Sequence, residues 1–114
     1  MSATGKLKKI DRFLEKLGQD YPSETQAFMN FMQKAEGGEA LDMKTKELIN
    51  IGISISAQCE WCIAFHARNA LDAGATRDEI MSAGFMAVLM HGGPALMYMM
   101  YLCQALDDFA AEKA

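Results

Sequence analysis

The stretch that most constrains this 114-residue chain runs from Gly84 to Cys103, where His91 is the only strongly polar side chain. Such a run must be hidden from water, yet His91-Gly92-Gly93-Pro94 cuts it into two pieces, each too short to cross a bilayer. Two buried helices on either side of that break fit, with Pro94 in the first turn of the second. Both pieces are apolar nearly all round near their join, which is the pattern of a helix buried on every side. A single domain over residues 1–114 has only a thin core, while 51% of its residues are apolar and ten are Met. Self-association follows as an expectation.

The rest of the chain reads as all-α, with about six helices. Ile10, Phe13, Leu14 and Leu17 keep helical spacing up to a stop near Gly18. Pro22-Ser23 opens a second helix, with Ser23 and Gln26 as a capping box, Phe28, Phe31, Met32 and Ala35 as its buried stripe and Gly37-Gly38 as its end. Thr76 and Glu79 form another capping box, for a helix reaching about Met90, and the last helix ends near Ala111. Between them Ile49, Ile51, Ile53 and Ile55 alternate with small or polar residues in the two-residue period of a strand. No second segment offers that strand a partner, so the stretch is assigned to a helix capped by Asp42. Leu48, Ile51 and Ile55 form its packed edge, and Gly52 with Ser56 leaves a groove for a close helix neighbour.

Function classes narrow from charge and cysteine usage. The net charge is −4, and the one basic cluster, Lys6, Lys8, Lys9 and Arg12, is short, which argues against a nucleic-acid partner. No apolar stretch of signal-peptide length follows the N-terminal charges, so a cytoplasmic setting with reduced thiols is expected. Three cysteines do not suggest a stapling framework, whereas Cys59 and Cys62, three apart, point to redox chemistry or metal binding. In Cys59-Glu60-Trp61-Cys62-Ile63-Ala64-Phe65-His66, helical spacing puts both sulfurs and the imidazole on one face. Cα atoms three apart on a helix lie about 5 Å from each other, a separation a disulfide tolerates. A Cys59 at the helix start meets unpaired amides, and His66 is placed to take a proton from Cys62. Glu47 would lie about 18 Å from Cys59 in one unbroken helix. If the chain turns back near Gln58, Glu47 is eleven residues before the turn and His66 eight after, at nearly one height. A line of Glu47, His66, Cys62 and Cys59 results, with the logic of a catalytic triad whose nucleophile is sulfur.

Glu47 twelve residues before Cys-x-x-Cys-x-x-x-His, preceded by Leu41-Asp42-x-Lys44-Thr45-x-Glu47-Leu48 and followed by Gly-Gly-Pro-Ala-Leu-Met, resembles the carboxymuconolactone decarboxylase family. Within it the likeness is to short members of the AhpD-like alkylhydroperoxidase branch, over roughly Phe28 to Leu106. The resemblance implies an all-helical AhpD-like fold with Cys-x-x-Cys at the start of a central helix, assembly into trimers or hexamers, and thiol-dependent reduction of hydroperoxides or disulfides without a bound cofactor. It makes Cys62 the peroxidatic thiol, Cys59 the partner that closes the disulfide, Glu47 with His66 the proton relay, and an external thiol the reductant. AhpD proteins proper often have a second His between the cysteines, where this chain has Trp61; the relay is then shorter.

Blander readings stand beside these. Cys59, Cys62, His66 and Glu47 can be metal ligands, although three donors from one helix face do not readily surround zinc. Haem attachment needs His directly after the second Cys and fails. Without the family spacing Glu47 reads as a solvated acid near a helix start, His91 as a helix-end residue or a pocket-lining one, and Cys103 as a structural thiol. Met81, Met86, Met90, Met97, Met99 and Met100 suit a core and a subunit interface more than an adaptable pocket for an oily peroxide or partner, and Trp61 either covers the sulfurs or anchors its helix. Two rival functions remain: the decarboxylating lyase that names the family, which needs no dithiol, and a non-catalytic oligomeric module that senses redox state.

Overall fold

The computed structural model describes residues 1–113, so Ala114 of the expected domain lies outside the described residues. Among them, six helices follow one another: α1 Ala3–Asp20, α2 Pro22–Gly37, α3 Met43–Ser56, α4 Glu60–Asp72, α5 Arg77–His91 and α6 Gly93–Glu112. α3 to α6 pack into the core, and α1 lies across α4 and α6. Ile51, Ile55, Ile63, Ile80, Leu102 and Phe109 fill the centre and are fully buried.

The isoleucine alternation resolves into two faces of α3. Ile51 and Ile55 are four apart and point into the core; Ile49 and Ile53, also four apart, are exposed. Two interleaved helical pairs therefore imitate a strand. A Cβ on Gly52 would lie 3.4 Å from the Ala83 carbonyl, the close approach of α5 expected at this groove. Asp42 caps α3 by accepting from the Thr45 amide, and both halves of the Thr76/Glu79 capping box are formed.

Several expectations change. α1 continues through Gly18 to Asp20, because one glycine costs a helix only about 1 kcal/mol and the Tyr21 amide still closes on the Leu17 carbonyl. Pro22 takes the first helical position of α2 with Tyr21 as its cap, leaving Ser23 inside the first turn, so the Ser23/Gln26 box is not used. Gln26 instead donates to Asn30 at 3.0 Å. The α2 stripe is not buried: Phe28 and Phe31 are exposed, as is Phe13 on α1. Among the described residues α2 packs only on α1 and α3, so its apolar face borders an open cavity rather than the core. The α5–α6 join is likewise buried on one side only, at Gly84, Ala87, Ala95 and Met99, while Leu89 and Met90 are 74% and 77% exposed in the single chain. Among the described residues no helix is long and apolar enough to cross a membrane.

α3 reverses into α4 at Ala57-Gln58-Cys59. Gln58 has φ 55°, a left-handed conformation that a side chain disfavours, and three backbone bonds hold the turn, including Cys59 N–H to the Ser54 carbonyl at 3.2 Å. Gln58→Val is expected to lower the unfolding free energy by roughly 1–3 kcal/mol and Gln58→Gly to leave it level or raise it by up to about 1 kcal/mol, as read by urea denaturation.

Candidate active site

The reversal at Gln58 sets α4 against α3 and brings Glu47 to His66. Glu47 is only 1% exposed, a depth at which a carboxylate needs partners on both oxygens. Its Oε2 lies 2.9 Å from His66 Nδ1, and its Oε1 accepts from Asn50 Nδ2 at 3.1 Å. No buried side-chain polar atom is left unpartnered among the described residues. A carboxylate accepting at Nδ1 puts a proton there and leaves Nε2 as the working nitrogen of the neutral ring. Asn50 carried no assignment in the sequence; its one signal is a polar side chain three residues after Glu47, on the same helix face.

Cys59 is the N-cap of α4, and its Sγ accepts from the Cys62 amide at 3.2 Å. The sulfur therefore sits among the first amides of the helix, where negative charge is favoured. Cys62 is half-buried, and burial, then a hydrogen bond to Cys59 and its charge, push the Cys62 thiol up to about 11. At neutral pH Cys62 is a thiol, so a base must take its proton before it can attack. All three cysteines are free.

Cys62 and His66 share the wall of a cavity of about 890 Å³ with Trp61, Phe65 and Asn50. Ile10, Leu14 and Leu17 of α1 and Phe28, Met29, Phe31 and Met32 of α2 form the apolar remainder. Glu47 stands behind this wall and borders a smaller recess of about 310 Å³ with Glu36, Asn69 and Asp72. The four expected residues thus meet as two direct pairs, Glu47 with His66 and Cys59 with Cys62, and the cavity joins the pairs. Among the described residues no hydrogen bond links the imidazole to a sulfur, and no group of three or more His, Cys, Asp and Glu is arranged to hold a metal ion. Trp61 lines the cavity. His91 is exposed at the end of α5, outside that lining, and Cys103 lies half-buried with Sγ 4.0 Å from Met81 Sδ.

Comparison with known proteins places the chain by family and fold. The model of the carboxymuconolactone decarboxylase family matches residues 22–105. An uncharacterized protein of Haemophilus influenzae is 35% identical over 105 residues, which is 92% of this chain and 90% of that one. The apo crystal structure of a carboxymuconolactone decarboxylase family protein from Legionella pneumophila superposes with a TM-score of 0.85 at 37% identity, over 96% of this chain and 95% of the other. A family protein of Thermotoga maritima, for which a part in the antioxidative response has been suggested, has the same fold at a TM-score of 0.85 and 23% identity, over 96% and 92% of the two chains.

Two outcomes follow from the site. Asn50→Leu strands the buried Glu47 Oε1 and is expected to cost roughly 1–3 kcal/mol in urea unfolding. In the reduced protein, alkylation of the Cys62 peptide is expected to rise with pH through about 11 rather than through the ordinary thiol value of 9.0, and Cys59→Ser to bring it part of the way back, as followed by peptide mass spectrometry.

Proposed function

The chain belongs to the carboxymuconolactone decarboxylase family, and within it we propose a thiol oxidoreductase that reduces hydroperoxides with the Cys59/Cys62 dithiol and a Glu47–His66 relay. The observation that carries this reading is the imidazole fixed at 2.9 Å by a buried carboxylate in the cavity that also presents Cys62. His66 Nε2 takes the Cys62 proton, and Glu47 stabilises the resulting imidazolium. The Cys62 thiolate attacks the terminal oxygen of R–O–O–H. The O–O bond breaks, Cys62 becomes a sulfenic acid, and the alkoxide leaves with the His66 proton as ROH. Cys59 then attacks the Cys62 sulfur, forming the disulfide and releasing water. Two molecules of an external thiol restore the dithiol and leave as their own disulfide. The net exchange is ROOH and two thiols to ROH, water and one disulfide.

The largely apolar cavity suits a peroxide with an apolar R group, and the reducing conditions needed to recharge the dithiol suit the cytoplasm. The exposed Leu89, Met90, Met97 and Met100 favour a homo-oligomer, a trimer or hexamer on the family pattern.

Mild peroxide treatment of the reduced protein is expected to remove two hydrogens, mapped by mass spectrometry to the peptide linking Cys59 and Cys62. Cys62→Ser is expected to abolish peroxide consumption; full retention of it refutes the assignment. A decarboxylase would instead survive replacement of both cysteines, and a sensor would change its elution volume on oxidation without turnover.

A further inference from the structure

None of the sixteen residues of α2 is buried, whereas each of α3 to α6 buries at least three. Among the described residues α2 packs on α1 and α3 alone. A segment with so little buried surface opens at a lower free energy than the core beside it. The end of α2 is also unlike the others. In the other five helices the amide of the capping residue donates back to a carbonyl of the last turn. α2 runs instead into Gly38 at φ −67° and ψ 149°, an extended residue that makes no such bond, so the last carbonyls of the helix need partners from elsewhere.

Lys46, in the first turn of α3, supplies them. Its Nζ donates to the Glu36 carbonyl at 2.7 Å and also to the Gly38 carbonyl. A cation suits this place, because the carbonyl end of a helix carries partial negative charge. Among the described residues Lys46 makes no ion pair, so its charge is committed to the end of α2. α2 in turn forms one wall of the cavity whose other wall presents Cys62 and His66. The lining runs along α2 from Tyr21, its cap, to Glu36, fifteen positions or about 22 Å at the helical rise. Charged lining residues stand near the two ends of α2, Glu24 by its start and Glu36 with Lys46 by its end, and the stretch between them is Phe28, Met29, Phe31 and Met32. A wall of that length and apolarity matches an extended hydrocarbon chain better than a compact solute.

We infer that α2 is a separately opening wall of this cavity, latched by the positioning residue Lys46, and that a ligand with a flexible hydrocarbon chain fills the cavity and holds the wall closed. A helix of sixteen residues is marginal in water on its own, so an α2 that leaves α3 also loses the protection of its amides. A ligand that needs the closed wall lowers the open population by the ratio of its free concentration to its dissociation constant, plus one. As a statement about the R group of a substrate the inference rests on the proposed peroxidase reading; as a statement about α2 and Lys46 it does not.

The test is hydrogen–deuterium exchange of the full reduced chain, read by peptide mass spectrometry, with and without dodecan-1-ol as an unreactive chain-bearing probe. In the parent, α2 amides are expected to have protection factors at least tenfold below those of α4 and α6. Lys46→Met is expected to speed α2 exchange by a further factor of roughly three to thirty, with α4 and α6 within twofold of the parent, and Lys46→Arg, which keeps donors for both carbonyls, to restore the parent rate. Dodecan-1-ol is expected to slow α2 exchange in the parent at least threefold and to leave the exposed α5–α6 join within twofold. An α2 that exchanges together with the core in the parent, as it would if a second copy covered it, overturns the inference, and so does an unchanged α2 rate in folded Lys46→Met. If Lys46→Met does not fold, the comparison of α2 with the core in the parent decides alone. Dodecan-1-ol that slows the α5–α6 join instead of α2, or slows neither, overturns the assignment of the cavity to a chain-bearing ligand. A protein whose α2 responds as described but which consumes no hydroperoxide contradicts the proposed peroxidase activity and leaves the wall and its latch standing.

Discussion

A carboxylate buried to the depth of Glu47 is tolerable only if both oxygens are satisfied, and the rest of the site follows from how this is done. One oxygen is met from within α3 by Asn50; the other must be met from outside the helix, and His66 meets it from α4. That contact fixes the ring, its tautomer and the height of α4 against α3. It also places the dithiol, because Cys59 and Cys62 lie less than two helical turns before His66. The left-handed Gln58 is the local strain that this arrangement demands.

The two sulfurs occupy different environments although they are three residues apart. Cys59 caps a helix and accepts an amide proton, whereas Cys62 is held protonated by burial and by its neighbour. The difference suits a two-step reaction. In the proposed reaction, the thiol facing the cavity needs the relay to become a nucleophile, and the thiol at the helix start attacks it once it has been oxidised. Charge at the thiol is adjusted in that proposed reaction by the Glu47–His66 pair.

Much of this was legible in the sequence because it depends on spacing near one turn. The meeting of Glu47 and His66 follows from counting residues either side of Gln58, and the helical nature of α3 from the lack of any partner for a strand. Thr76 with Glu79 was readable because a capping box is a purely local device. The failures have a common cause, which is that local pattern does not say what lies opposite. Ser23 and Gln26 have the right spacing, yet Pro22 claims the first helical position. The stripes of α1 and α2 have the right period, yet in one chain they face a cavity instead of a core. Lys6 and Glu60 are 54 positions apart and meet only because α1 is fastened to α6, which no periodicity reports.

The central claim is that the buried carboxylate acts through the imidazole on the Cys62 thiol. The most direct test is the single-turnover rate at which one equivalent of peroxide forms the Cys59–Cys62 disulfide in Glu47→Gln, a change that keeps the size of the side chain and removes its charge. The account predicts a fall of about a hundredfold or more, the scale of a lost acid–base relay, in a variant that remains folded. A folded Glu47→Gln protein that oxidises at the parent rate would contradict it.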